Sequence, residues 1–181
     1  EDIDGLRSKM PNAEFTTEPN NDTWLGEVVR KAISRDEPNV SPTSVFFLFL
    51  AEHANHVDEF VKPSLEKDKT VICDRYIDSR YAYQSYELEN EIEGDTLKWI
   101  RNVQEQKWTK IPDTTILLDI SVDTAMERLD GDEIFENREK LEHFRETYLK
   151  LAQEQPDRYF VVNAEKNPKE VIDKCVEIIE G

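Results

Sequence analysis

Two short runs constrain what this chain can fold into more than any other feature: Thr70-Val71-Ile72-Cys73-Asp74 and Thr114-Thr115-Ile116-Leu117-Leu118-Asp119. Each is almost unbroken in apolar or β-branched residues, is too short for a helix, and stops at an aspartate. Runs without polar–apolar alternation suit strands covered on both faces, as in parallel sheets. Residues 13–16 and 159–163 read as two more strands. Helical periodicity occupies residues 22–33, 41–66, 95–106, 121–129, 136–153 and 168–179. The longest of these opens with Ser41-Pro42 and sets Phe46, Phe49, Leu50, His53 and Val57 at three-and-four spacing. Ser121 is placed to cap the helix that follows the second run. Strands alternating with helices predict an α/β fold with right-handed crossovers. Ligands in such folds sit beyond the carboxyl ends of the strands. Asp74 stands at one such end; Asp119 reads better as a residue leading into the next helix.

Composition narrows the partners. Acids outnumber bases 40 to 23, for a net charge of −17 over 181 residues. Binding a nucleic-acid polymer requires a Lys/Arg surface that displaces phosphate counterions, and docking on anionic lipid requires the same sign; neither is expected. No run approaches the ~20 apolar residues of a membrane helix, and no basic, apolar and small-residue leader is visible. Cys73 and Cys175 lack C-x-x-C spacing and read as packed thiols rather than a disulfide or zinc framework. A cytoplasmic protein with one domain is the expectation. Phe46 and Phe47 are the expected core aromatics, and Trp24, Trp99 and Trp108 core or interface residues.

The most informative segment leaves the first run: Asp74-Arg75-Tyr76-Ile77-Asp78-Ser79-Arg80-Tyr81-Ala82-Tyr83-Gln84. Arg75 can fork onto phosphate oxygens, and Asp74 can hold Mg²⁺ or orient an acceptor. The same pair can equally do no more than close a strand–helix turn. The segment resembles the D-R-Y-x-x-S-x-x-A-Y-Q stretch of thymidylate kinases. Five further stretches resemble motifs of that family, in the family's order. Glu1-Asp2-Ile3-Asp4-Gly5 is similar to the E-G-I-D-G that begins its phosphate loop, and Thr16-Thr17-Glu18-Pro19 to T-R-E-P. Residues 48–57 are similar to its F-x-A-D-R-A-x-H-V helix, with His53 where many members have arginine. Residues 111–119 resemble P-D-L-T-I-L-L-D, and Ile134-Phe135-Glu136 the R-F-E after the lid. Any one match is weak; six in order, over nearly the whole chain, are strong. The His53 form and residues 79–84 look most like archaeal members.

One departure stands out. A phosphate loop needs G-x-x-x-x-G-K-[ST], so that backbone N–H groups and a lysine cradle the phosphates. This sequence has no Gly-Lys pair, and Leu6-Arg7-Ser8-Lys9-Met10 follows Gly5 directly. Either a segment between Gly5 and Leu6 is missing, which is the favoured reading, or the deletion is real. Cα atoms of bonded neighbours lie about 3.8 Å apart, so a wide Gly5–Leu6 separation is the mark of a missing segment. The lid, around Arg128 to Glu136, is also short and lacks its usual second arginine, which leaves Arg128, with Arg138 as a candidate helper.

The resemblance implies a P-loop NTPase-like three-layer α/β/α fold with a parallel sheet of about five strands. It implies a single nucleoside monophosphate kinase domain over residues 1–181, with a lid near 128–137 and an acceptor-nucleotide region near 41–90. The implied reaction moves the γ-phosphoryl of ATP to dTMP, with Mg²⁺, giving dTDP and ADP. By resemblance, Asp74, Arg75 and Arg128 are catalytic. Phe49 stacks on thymine, His53 faces the base edge, Arg75 binds the monophosphate, and Arg80 reaches base or phosphate. Tyr83 packs under the deoxyribose, Gln84 bonds nearby, and Glu18 with Pro19 walls the acceptor phosphate. Asp4, Gly5 and Arg128 serve ATP, and Asp4 and Asp74 the metal. A homodimer joined along the long helix is implied too. The alternatives are another deoxynucleoside or deoxynucleotide kinase or, for a true loop deletion, a non-catalytic nucleotide-binding module. His53, His56 and Glu52 lack a fourth ligand for a metal site.

Overall fold

The computed structural model describes residues 2–34, 40–128 and 134–181. The chain divides into two compact units, one of residues 12–111 and one of residues 1–11 with 112–181.

In the first unit, β1 (Glu14–Thr17) lies parallel to β2 (Val71–Asp74), with Glu14 opposite Val71 and Thr17 opposite Asp74. The crossover is helical. Thr23 caps α2 (Trp24–Ile33) by accepting from the Gly26 N–H, and Ser41 caps α3 (Pro42–His56) by accepting from the Ser44 N–H. The helical run continues through a π turn (Val57–Val61) into α4 (Lys62–Leu65). Pro63 supplies the reason: an interior proline lacks an N–H and crowds the carbonyl four residues back, and a widened turn relieves that clash. After β2 come α5 (Ile77–Glu87) and α6 (Thr96–Gln104). Phe46, Val57, Ile77, Tyr81 and Ile100 fill the core.

In the second unit, β3 (Thr115–Asp119) runs parallel to β4 (Tyr159–Asn163). Around them are α1 (Asp2–Lys9), α7 (Val122–Arg128), α8 (Ile134–Glu154) and α9 (Pro168–Glu180). Val162, Val171 and Cys175 form its buried cluster, with Leu6, Ile116 and Ile178 packed against them.

All four expected strands are present within a residue of their predicted bounds, and the α/β class with parallel pairing holds. Among the described residues there are four strands in two pairs, not one sheet of about five. Asp2-Ile3-Asp4 contributes no strand because it carries a single apolar side chain; residues 2–9 are helical instead. The helix passes through Gly5–Leu6 unbroken, with Met10 N–H donating to the Leu6 carbonyl at 2.9 Å. The residues resembling the start of a phosphate loop are helical. A Cβ on Gly5 would lie 2.3 Å from Ile172 Cδ1, so this glycine lets α1 close on α9. The two constraining runs are only half-buried, since each has one strand neighbour. Phe47 is 51% exposed and Trp24 73% exposed, so neither is a core residue of its unit.

Candidate functional site

β1 delivers Glu18 and Pro19, joined by a cis peptide, into the interior of the first unit. The Glu18 carboxylate does not line a wall. Its Oε1 lies 2.8 Å from His53 Nδ1 and 2.8 Å from His56 Nδ1. Its Oε2 accepts from Arg80 Nη1 at 2.7 Å. The two histidines sit three apart on α3, so one helix face presents both. Burial pushes the Glu18 carboxyl up, but the Arg80 charge and the bonds from His53 and His56 outweigh it, holding the group well below the usual carboxylate range.

A second layer holds these partners. His56 Nε2 lies 2.8 Å from Thr16 Oγ1. Arg80 Nε donates to Gln104 Oε1 at 2.6 Å, and Gln104 Nε2 donates to the Ile77 carbonyl at 3.2 Å. Asn20 N–H donates to Glu52 Oε1 at 2.9 Å. Burial lowers the His53 imidazole below its ordinary value, so it is neutral near pH 7, and burial raises the Glu52 carboxyl.

The network is incomplete in one respect. His53 Nε2, Arg80 Nη2, Gln84 Oε1, Tyr76 OH and Glu52 Oε2 are buried with no hydrogen-bond partner in the described residues. Buried polar atoms are normally paired, and leaving one unpaired costs about 1–3 kcal/mol. Five such atoms in one network mark this region as the candidate site. They are neighbours through Glu18: His53 and Arg80 both bond it, the Tyr76 ring centroid lies 5.0 Å from that of His53, and Gln84 follows Arg80 by one turn of α5. Phe49 precedes His53 by one turn of α3 and is half-buried, accessible at one side.

Beside this cluster Arg75 takes φ +62°, a left-handed conformation costly for a side chain other than glycine. Such strain persists where a site requires it. The conformation brings the Arg75 Nη1 to donate to Tyr83 OH at 2.8 Å, with the guanidinium 5.3 Å from the Tyr83 ring centre. Thr17, where the family's motif has arginine, donates its hydroxyl to the Asp74 carbonyl at 3.0 Å. Cys73 is a packed thiol, raised by burial, as expected.

The family profile described as thymidylate kinase matches residues 4–175. The chain belongs to the thymidylate kinase family. It is 40% identical over 163 residues to a probable thymidylate kinase of Methanococcoides burtonii, covering 88% of this chain and 78% of that protein. It is 42% identical over 168 residues to one of Methanosarcina acetivorans, covering 91% and 79%. It is 34% identical over 177 residues to one of Natronomonas pharaonis, covering 97% and 88%. The solved structure of thymidylate kinase from Ehrlichia chaffeensis superposes with a TM-score of 0.71 at 22% identity, over 98% of this chain and 89% of that one, and shows the fold.

The residues expected to serve the phosphoryl donor are more scattered. Arg128 is exposed, with Nη2 3.5 Å from the Ala164 carbonyl. Arg138, its candidate helper, pairs with Asp123 and Glu142. The lid residues 129–133 lie outside the described residues. Asp119 takes Arg145 in a two-pronged bond, Nε to Oδ1 at 2.7 Å and Nη2 to Oδ2 at 3.0 Å, while Ser121 caps α7. Asp4 and Asp74 are both exposed, one in each unit. Among the described residues no three His, Cys, Asp or Glu side chains gather as a metal site. With no Gly-Lys cradle in the sequence either, the described residues do not compose an Mg²⁺ site.

Thr16, Tyr76, His56, Glu52 and Gln104 were missed as members of the network. His56 and Glu52 lay inside a recognised motif and were weighed only as metal ligands. Gln104 sits 24 residues beyond Arg80, with no local signal to link them. No helix of the described residues is long and apolar enough to cross a membrane.

Proposed function

We propose that this chain phosphorylates dTMP to dTDP with ATP as donor, within a single nucleoside monophosphate kinase domain whose acceptor region is residues 41–90 and whose lid is residues 128–137. What carries the proposal is the set of unpartnered buried groups around Glu18, in a member of this family, flanked by Phe49 and the strained Arg75. In this reading Phe49 stacks on the thymine, and His53, Arg80 and Gln84 meet its polar edge. Tyr83 lies against the deoxyribose, where a 2′-hydroxyl collides. Arg75 exchanges its bond to Tyr83 for the acceptor phosphate, and Asp74 orients that phosphate. Pro19 shapes the adjoining wall, and Glu18 holds the base-reading side chains.

Little covalent chemistry falls to the protein in phosphoryl transfer; it aligns two anions and neutralises spreading charge. Arg75 and Arg128 supply cations from this chain, which lets a −17 protein bind nucleotides if its few arginines converge. Asp4, Gly5 and the lid belong to the donor side, where the chain lacks the loop lysine. A cytoplasmic homodimer fits the reading, and the exposed Trp24 and Phe47, on the packed α2–α3 pair, offer it apolar surface.

The test is calorimetry with dTMP and ATP, followed by ADP release with dTMP, dUMP, dCMP and thymidine. Turnover of dTMP upholds the proposal. A rate with thymidine and none with dTMP replaces it with a nucleoside kinase. Binding of dTMP without ATP binding or turnover replaces it with a nucleotide-binding module.

A further inference from the structure

The Glu18 network settles where the protons sit. Glu18 is a carboxylate and can only accept. The bonds at 2.8 Å from its Oε1 to His53 Nδ1 and His56 Nδ1 therefore require N–H on both Nδ1 atoms. A second proton on His53 would add a second buried cation beside Arg80, both set against the one Glu18 carboxylate. His53 is thus the neutral Nδ1–H tautomer, and its Nε2 carries a lone pair. That lone pair is buried and unpartnered in the described residues. Nearby, Arg80 is held by Glu18 and Gln104 through Nη1 and Nε, at 2.7 and 2.6 Å, leaving Nη2 as an unpartnered donor. One network therefore holds out an acceptor and a donor together.

A pyrimidine imide carries the matching pair: an N3–H donor flanked by carbonyl acceptors. Cytosine has a lone pair at N3, which would face the lone pair of Nε2. We propose that Glu18 is the positioning residue that makes His53 Nε2 the acceptor for the N3–H of a thymine- or uracil-type base, with Arg80 Nη2 donating to the adjacent carbonyl. Arginine, which many relatives have at the position of His53, has donors only and cannot take this proton. The chain thus reads the base edge with the opposite hydrogen-bond polarity at that position, and it does so because Glu18 orients the imidazole. The inference rests on the dTMP reading above.

The test uses the full chain and needs no phosphoryl donor. Calorimetry compares dTMP, dUMP, N3-methyl-dTMP and dCMP, while ¹⁵N-histidine spectra report the His53 tautomer. Expected are similar binding of dTMP and dUMP, and binding of N3-methyl-dTMP and dCMP weaker by about 10-fold or more. Free His53 shows the Nδ1–H pattern, and dTMP shifts its Nε2 resonance while Nδ1 stays protonated. Glu18→Gln loses the fixed tautomer, and the penalty for N3-methylation shrinks in that variant. Should Glu18→Gln not fold, the ligand series and the spectra on the native chain decide alone. Equal affinity for dTMP and its N3-methyl analogue, affinity for dCMP equal to that for dTMP, or an Nε2–H tautomer overturns the inference and leaves the dTMP reading standing. No binding of dTMP at all overturns that reading instead.

Discussion

Glu18 and Asp119 are both carboxylates at the ends of parallel strands, and their surroundings differ in kind. Glu18, with 2% of its side chain exposed, gathers His53, His56 and Arg80. Buried atoms of its network are left unpartnered in the described residues. Asp119, with 23% of its side chain exposed, is matched by the one fork of Arg145, itself 41% exposed. The second arrangement is complete and wet; the first is dry and unfinished. A fold tolerates a dry, unfinished polar cluster where a ligand completes it, which is why the Glu18 region, not the Asp119 region, is read as the site.

Removing the two carboxylates should separate them most sharply. Glu18→Ala strands Arg80 as a buried unpaired cation and frees two imidazole N–H groups, an expected loss of about 3–5 kcal/mol. Asp119→Ala breaks a partly solvated pair and should cost about 1 kcal/mol or less. Urea midpoints of the two variants check this; equal losses would erase the contrast.

Glycines sharpen it next. A Cβ at Gly26 would lie 1.8 Å from the Asn20 backbone carbonyl, whose residue donates its N–H to Glu52, so the clash cannot be relieved by a rotamer. Gly26→Ala should cost about 3 kcal/mol. At Gly5 the obstacle is the tip of Ile172, and alanine gains about 1 kcal/mol of helix propensity. Gly5→Ala should change stability by about 1 kcal/mol at most, read by the same denaturation curves.

The smallest effect is in pH. The folded His53 imidazole titrates below its ordinary 6.5, so between those values the unfolded chain holds a proton the folded chain does not. Its contribution is full above 6.5 and is lost as pH falls below that value. Glu18, lowered from 4.5, contributes fully above that value, and its share is lost as pH falls through its lower folded value. Glu52, raised from 4.5, acts in the opposite sense, stabilising below 4.5 and losing that contribution as pH rises through its folded value. The His53 share should appear as a steeper drop in urea midpoint on acidification below pH 6.5 than a chain without that imidazole shows. His53→Gln should flatten that slope and Asp119→Ala should not.

Much of this was legible in the chain. The strands at 13–16, 70–74, 114–119 and 159–163 were found because short apolar runs bounded by polar residues have few other folds. Ser121 was read as a cap and Ser41 as the start of a helix, and each accepts the N–H three residues on. The reading went astray at Phe47, which is apolar but lies on the outer side of α3 while Phe46 is fully buried. It also went astray at residues 2–5, where a motif match suggested the start of a phosphate loop and the chain is helical. Glu18, His53 and Arg80 were each singled out as site residues, yet their bonds to one another, and the part of His56, were not, because the partners lie 35 to 62 residues from Glu18 along the chain.

The order of apolar runs and motif residues determined, by itself, the α/β class and the family, since each depends on neighbours along the chain. Which atom of His53 carries the proton, which arm of Arg80 is left over, and which buried groups lack partners were decided only when β1, α3, α5 and α6 came together. Hydrogen-bond satisfaction is a property of atoms within about 3 Å in space, and no spacing along the sequence records it.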